Sequence, residues 1–222
     1  MLDVISVGDV TEDVFVQANE LFVRCEHKNG RKACYLCMRY SDKIAAQRVD
    51  KLIGGNAGNF AIGSRRLGLK SALFAEVGND IQGKRILQSL KDEKVSTKYF
   101  TLTKGGKTNY SVVLNHKGER TILVHHELRK YTPKKLEKCG ILYVTSMGKG
   151  SERLFPSLLS HIKKTNAKMG FNPGTHQLKL GKKKLKKMIQ ASYVVSLNTE
   201  ETQLLLNDYT RDFRKYVRDY MT

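Results

Sequence analysis

Apolar and polar positions along this chain follow two periods, and the switches between them mark out its elements. Residues 2–8 form an apolar run closed by Gly8-Asp9, which reads as a buried first strand. Residues 13–24 and 42–53 read as extended, amphipathic segments, carrying Val14, Phe15, Val16, Leu21, Phe22 and Val23, then Ile44 and Val49. Between them lies a polar, cysteine-containing excursion, 25–41. Strand pairs of this kind, interrupting an α/β pattern, form an accessory sheet on one side of a main domain. Residues 57–67 predict a helix ending at Leu67-Gly68, and 71–77 a strand running into Gly78-Asn79-Asp80. Helical spacing returns over 81–93, with Ile86, Leu87 and Leu90 on one face. Two strands, 108–114 and 120–125, flank a hairpin turn at 115–119 in which Gly118 supplies a positive φ.

From there the pattern is βαβ. Residues 141–144 predict a strand, and 151–166 a helix with Pro156 near its first turn or at a kink. A short strand at 168–171 is closed by Asn172-Pro173-Gly174, and a basic helix covers 178–189. A strand at 193–197 ends at Asn198, and the helix after it places Glu200 and Glu201 in its first turn, where the helix dipole favours acids. Residues 210–222 read as one more helix, which stops with the chain. Strands alternating with helices predict an α/β fold with a mostly parallel sheet and helices on both faces. Such folds bind ligands beyond the carboxyl ends of their strands, here at Gly8, Gly78, Asn172 and Asn198.

Composition adjusts this picture. The chain has 222 residues, 40% of them hydrophobic, enough for one core or for a main domain with a small appendage. It has no apolar run long enough to span a bilayer and no signal-peptide pattern at its start, so the expectation is a cytoplasmic protein without a membrane partner. The formal net charge is +19, much of it in the lysine run 182–187. That run reads as the solvated face of a helix whose Leu185, Met188 and Ile189 point inward. Nucleic acid is the lesser reading, since no RNA-binding motif or zinc-finger spacing accompanies the charge. Cys34-x-x-Cys37 is one metal-type half-site, and Cys25 could add a third thiolate; Cys139 is distant and His27 irregularly spaced. The expectation is free thiols in a reducing compartment, with zinc the second reading and a disulfide disfavoured.

Two glycine-rich segments are candidates for a small-molecule or phosphate loop. Gly105-Gly106-Lys107-Thr108 imitates the end of a phosphate-binding loop, but position 101 is Thr where that loop needs a glycine, and a strand follows instead of a helix. It reads as an ordinary loop. The other segment is Gly54-Gly55-x-Ala57-x-Asn59-x-Ala61, then six residues to Gly68 and nine more to Gly78. This spacing resembles the first signature of the ribokinase-like (pfkB) family of sugar and nucleoside kinases. The resemblance extends over nearly the whole chain: Gly8-Asp-Val-Thr-Glu-Asp13 is similar to the family's first-strand substrate motif, Val77-Gly-Asn-Asp80 to its turn motif, and Asn172-Pro173 and Asn198-Thr-Glu-Glu201 to two later motifs.

The resemblance implies a ribokinase-like, Rossmann-type three-layer α/β sandwich whose small β-sheet lid is built from about 13–24, 42–53 and 108–125. It implies ATP-dependent phosphorylation of a sugar or nucleoside hydroxyl with Mg²⁺. Asp13 and Asn59 would anchor the sugar, and Gly54-Gly55 would let it approach backbone N–H groups. Asn198 and Glu201 would organise the ATP phosphates and Mg²⁺, the Glu through metal-bound water. Each has a plainer reading: a strand-ending turn for Asp13, a first-turn helix residue for Asn59, a helix cap for Asn198, and a dipole-favoured acid for Glu201. Glu76 and Asp80 read as structural, and His125 and His126 simply close a lid strand. The edge strands of such a lid are a pairing surface for a second copy of the chain.

The family's second signature, Asp-x-x-Gly-Ala-Gly-Asp, which would supply the anion hole and the catalytic base, has no counterpart in these 222 residues. The expectation is therefore a kinase fragment with the substrate half of the site and little or no turnover. A non-catalytic sugar-binding module, or one that binds an anionic partner, is the alternative.

Overall fold

The mostly apolar segment 71–78 becomes a strand buried at every position, Ser71 and Glu76 included, and the rest of the molecule is layered around it. The computed structural model describes residues 1–28 and 31–206; the helix expected at 210–222 lies outside them. In chain order the first elements are β1 (Leu2–Val7), β2 (Thr11–Ala18), β3 (Phe22–Lys28), β4 (Arg31–Cys37), β5 (Ala46–Gly54) and α1 (Asn56–Arg66). Next come β6 (Ser71–Gly78), α2 (Ile81–Asp92), β7 (Phe100–Thr103), β8 (Asn109–His116), β9 (Glu119–His125) and β10 (Cys139–Val144). A 3-10 turn, Ser151–Leu154, runs into α3 (Phe155–Thr165), followed by β11 (Lys168–Phe171), α4 (Thr175–Leu178), α5 (Lys182–Ala191), β12 (Val194–Val195) and α6 (Thr199–Leu206).

The main sheet has the order β12-β11-β10-β1-β6-β7, with every neighbouring pair parallel. Alternation along β6 divides the core. Leu73, Ala75 and Val77 pack against α1 and α2 through Ala57, Ala61, Ile86 and Leu90. Ala72 and Phe74 belong to the opposite layer with Val144, Leu158, Leu178 and Leu185. Helices therefore cover both faces, which makes a three-layer α/β sandwich. The lysine run lies on α5 as expected: Leu185 and Met188 are fully buried and the five lysines exposed.

The sheet order places β1 at a switch point. The chain leaves β1, builds β6 and β7 on one side of it, and later returns to build β10, β11 and β12 on the other. Crevices open at such points, beyond the carboxyl ends of the strands. Here the ends of β1 and β10 flank that crevice, and a second sheet, β5-β2-β8-β9, stands over it. In this lid, β2 pairs antiparallel with β5 and parallel with β8.

Several expectations need revision. The stretch 13–24 is two strands: β2 belongs to the lid, whereas β3 pairs only with β4, in a separate two-stranded sheet. The excursion 25–41 is thus largely a hairpin. Its register sets Cys25 opposite Cys34, and the two form a disulfide; free thiols at both positions were expected instead. Spacing suggested the pair Cys34 and Cys37, but residues three apart on one strand point to opposite faces. Cys37 and Cys139 are free, and among the described residues no group of three or more His, Cys, Asp or Glu side chains is arranged to hold a metal ion. The expected helix 178–189 is broken at Lys179-Leu180-Gly181, and β7 was not foreseen because its alternation, Phe100-Thr-Leu-Thr103, lasts only four residues.

The loop reading of 105–108 holds, and Asp80 explains the loop's position. Asp80 caps α2 by accepting from the Gly83 N–H at 2.8 Å, and also accepts from the Thr108 N–H at 2.7 Å and the Thr108 hydroxyl at 2.6 Å. Partial burial pushes its carboxyl up, but these hydrogen bonds outweigh that and hold it below the usual carboxylate value. A cap of this kind contributes about 1 kcal/mol. Glu76 is likewise structural, accepting from the Thr132 N–H at 3.2 Å.

Candidate functional site

The site forms where the turn after β1 passes between two other segments. Asp9 donates its backbone N–H to the Ser146 carbonyl at 2.9 Å, and Gly8 donates to the Phe74 carbonyl at 3.2 Å. On the other flank, a Cβ at Gly55 would lie 2.6 Å from the Asp9 carbonyl oxygen, and Gly55 sits at φ 84°, so both space and backbone geometry select glycine there. Gly54, one residue earlier, is the last residue of β5 and faces β2. A Cβ there would fall inside the carboxylate of Asp13. The glycine pair thus brings the start of α1, the β1 turn and Asp13 into one place.

Asp13 lies on the same lid face as Thr11, whose hydroxyl donates to it at 3.0 Å. The Thr11 hydroxyl is also 3.3 Å from that of Ser111 on β8. Thr11 and Ser111 are buried and Asp13 half-buried, so this face is a small polar surface with one carboxylate at its open end. Glu12 points the other way, toward Arg85 on α2. A cleft of about 410 Å³ on that reverse side, lined by Glu12, Lys51 and Arg85, is therefore separated from Asp13 by the sheet itself.

Gly55 also opens α1. No side chain caps this helix and no acid lies in its first turn, so its first N–H groups are available to an oxygen acceptor. Asn59 donates its backbone N–H to the Gly55 carbonyl at 3.0 Å and is exposed, one turn along α1. Buried small residues explain how α1 can lie so close to the sheet: the Ser6 hydroxyl reaches the Ala57 carbonyl at 2.9 Å, and Ser71 reaches that of Ala61 at 2.8 Å.

Asn172 bridges to the next group of residues. It accepts from the Asn56 amide at 3.2 Å and donates to the Ser196 carbonyl at 2.7 Å, two residues before Asn198. Asn198 and Glu201 then form a reciprocal cap on α6. The Asn198 N–H donates to the Glu201 carboxylate at 2.9 Å, and the Glu201 N–H donates to the Asn198 side chain at 2.7 Å. Asp13, Gly54, Gly55 and Asn59 thus gather around the start of α1, and Asn172 links the segment carrying Asn198 and Glu201 to it. One carboxylate and one amide, both bonded to the backbone of α6, do not by themselves make a Mg²⁺ ligand set.

Sequence reasoning missed the group beneath the site. Asp9 is buried, accepts the Tyr131 hydroxyl at 2.9 Å on each oxygen, and accepts the Gly148 N–H at 2.9 Å. Tyr131 reaches it from the segment after β9, with φ at 48°. The only signal was an acid immediately after an apolar first strand. Beyond Gly148, a cleft of about 320 Å³ opens at the ends of β10 and β11, lined by His126, Ser146, Lys149, His176 and Lys179.

A crevice at the switch point of a doubly covered parallel sheet, with a small separate β-sheet beside it, is the architecture of the ribokinase fold. Residues 30–217 match the pfkB family carbohydrate kinase model, and the chain belongs to that family. It is 32% identical over 72 residues to mouse (Mus musculus) ribokinase, a segment covering 32% of this chain and 22% of the relative. It is 37% identical over 60 residues to an ATP-dependent 6-phosphofructokinase of Thermoanaerobacterium thermosaccharolyticum, covering 27% of this chain and 19% of that one. Among solved structures, Arabidopsis thaliana ribokinase complexed with ribose and ATP superposes with a TM-score of 0.70 at 16% identity, over 98% of this chain and 66% of that one. The nucleoside kinase of Methanocaldococcus jannaschii gives 0.69 at 18% identity, over 98% and 68%. The chain thus spans about a fifth of each of these curated relatives in aligned sequence, and about two thirds of the solved kinases in fold.

Burial raises the Asp9 carboxyl above its ordinary 3.8, against the opposing effect of the Tyr131 and Gly148 hydrogen bonds. The folded state therefore holds this proton more tightly than the unfolded chain does. Its contribution to stability is full below the unfolded pKa and is lost as pH rises through the raised folded value. Urea unfolding at a series of pH values from about 4 toward neutrality should show wild type losing stability relative to Asp9→Asn. A constant difference between the two would mean that Asp9 ionises as freely in the fold as in the open chain.

Proposed function

We propose that this chain carries the substrate-binding half of an ATP-dependent sugar or nucleoside kinase. The observation that carries the reading is the convergence of Asp13, Gly54 and Gly55 on the uncapped start of α1. A polyol needs acceptors for its hydroxyl protons and donors for its oxygens. The Asp13 carboxylate supplies the first, the α1 N–H groups and the Asn59 amide supply the second, and the glycines leave room for the ring. The lid above excludes water from a reaction that water would otherwise intercept. Family membership and a neighbour solved with ribose and ATP support this substrate class and ATP as phosphoryl donor.

Asn198 and Glu201 are assigned to the nucleotide side as positioning residues, since their mutual bonds fix the start of α6. ATP with Mg²⁺ would supply the phosphoryl group in the complete enzyme. Phosphoryl transfer also requires an anion hole and a base for the attacking hydroxyl. The Asp-x-x-Gly-Ala-Gly-Asp segment that supplies them in the family is not among these 222 residues. The chain alone is therefore expected to bind substrate without sustained turnover.

Thermal melting with a panel of sugars and nucleosides tests the reading. A stabilising shift with at least one of them is expected in wild type, and its loss in both Asp13→Ala and Gly54→Ala, whose added Cβ displaces the Asp13 carboxylate. ATP consumption should stay near background throughout. Shifts that survive both substitutions would place the substrate elsewhere, and sustained turnover would overturn the half-site reading.

The lid also suits pairing with a second copy. Leu52 on edge strand β5, and Ile122, Leu123 and Val124 on β9, are all exposed and apolar. Sedimentation should find wild type as a concentration-dependent dimer and Leu123→Lys as a monomer; two identical profiles would remove β9 from any such interface.

A further inference from the structure

We propose that Cys25–Cys34 is a reversible thiol-redox site whose reduction loosens the β3–β4 hairpin inserted between the two strands that carry Asp13 and Gly54. The hairpin has little else to hold it. It pairs with no other strand among the described residues, and Phe22, Val23 and Tyr35 are each about half exposed, at 50%, 52% and 52%. Isolated two-stranded sheets are marginal in water without a buried apolar face. The disulfide ties the two strands at facing positions in mid-register. It is the one covalent cross-link among the described residues, and it acts where packing is weakest.

The bond is also open to attack. Cys25 and Cys34 are both exposed, so a thiolate from solvent can reach either sulfur, and exposed disulfides are the more readily exchanged ones. The reductant is a small dithiol, a tripeptide thiol or a protein dithiol. Its thiolate attacks one sulfur, the S–S bond breaks, and the departing cysteine thiolate takes up a proton. A second thiol then attacks the mixed disulfide and releases the other cysteine. In total, Cys25 and Cys34 gain two electrons and two protons, and two reductant thiols become one disulfide. Cys139 stays out of this chemistry: it is buried, and burial pushes its thiol up to about 11, so it carries little thiolate.

The hairpin is placed to report its state to the lid. β3 follows β2 directly and β4 leads toward β5, and those two strands pair from Thr11–Gly54 to Ala18–Ala46. Cys34 and Leu36 also line a narrow cleft of about 180 Å³ against Leu114, His116 and Glu119 at the β8–β9 end of the lid. Opening the hairpin frees that end of the lid and the far ends of β2 and β5, while the parallel sheet beneath keeps its own core.

The test uses the full chain and needs no substrate, so it stands or falls separately from the kinase reading. Thiol titration of the air-equilibrated, denatured protein should find two thiols, and four after reduction. Hydrogen exchange should quicken at least tenfold on reduction across Phe22–Lys28 and Arg31–Cys37, with β1 and β6 unchanged. The Cys25→Ser, Cys34→Ser double variant should exchange like reduced protein in both conditions. A glutathione redox series should carry the thiol count reversibly between two and four. Four thiols before reduction, equal exchange in both states, or a bond that survives the most reducing glutathione mixture would each overturn the proposal.

Discussion

The close passage of the β1 turn past Gly55 is the constraint on which the site depends. The Asp9 carbonyl lies where any side chain at Gly55 would have to be. That contact fixes the distance between the end of β1 and the start of α1. It thereby fixes how β2 leaves the sheet and where Asp13 meets Gly54. Close packing leaves no slack at such a point. The helix can come this near because the residues it presents to the sheet are small, with Ala57 and Ala61 fully buried. One backbone approach therefore links the parallel sheet, the lid and the polar surface between them.

Beneath this contact the fold holds a carboxyl group away from water. Asp9 has three hydrogen-bond contacts from two donors, the Tyr131 hydroxyl and the Gly148 N–H. These bind the β1 turn to the segment leaving β9 and to the loop after β10. An isolated buried carboxylate would be expensive. Here the donors offset part of that cost, and its burial keeps the proton comparatively tightly held. The same arrangement orders the wall of the cleft at His126, Lys149 and His176. It behaves as a structural keystone that borders the site, and Tyr131 reaches it at φ 48°, a backbone region few non-glycine residues adopt.

Much of the fold was legible because its signals are local. Apolar runs mark β1, β6 and β10, helical spacing marks α2, and the glycine pair before Ala57 marks the start of α1. The residues proposed to meet substrate, Asp13, Gly54, Gly55 and Asn59, could be picked out in the sequence because they sit in short spaced motifs. The pairing of Asp9 with Tyr131 was not legible, because 122 residues separate them. The Cys25–Cys34 pair was hidden for a related reason: strand register decides which cysteines face each other, and register is set by the whole hairpin. The role of Asn172 as a bridge between α1 and the α6 end likewise emerges only when three loops converge.

The lid and the sheet divide the work. The sheet provides the fixed start of α1, and the lid provides Asp13 on β2, a strand paired on both sides. The central claim is that a sugar or nucleoside sits between them, at the end of β1. Backbone amide chemical-shift mapping of the isotope-labelled chain, during titration with the ligand that binds most tightly, tests this most directly. The account predicts that the largest shifts fall on Asp13, Gly54, Gly55 and Asn59 and on the turn after β1. Shifts centred on Glu12, Lys51 and Arg85 behind the lid, or spread evenly over the lysine face of α5, would contradict it.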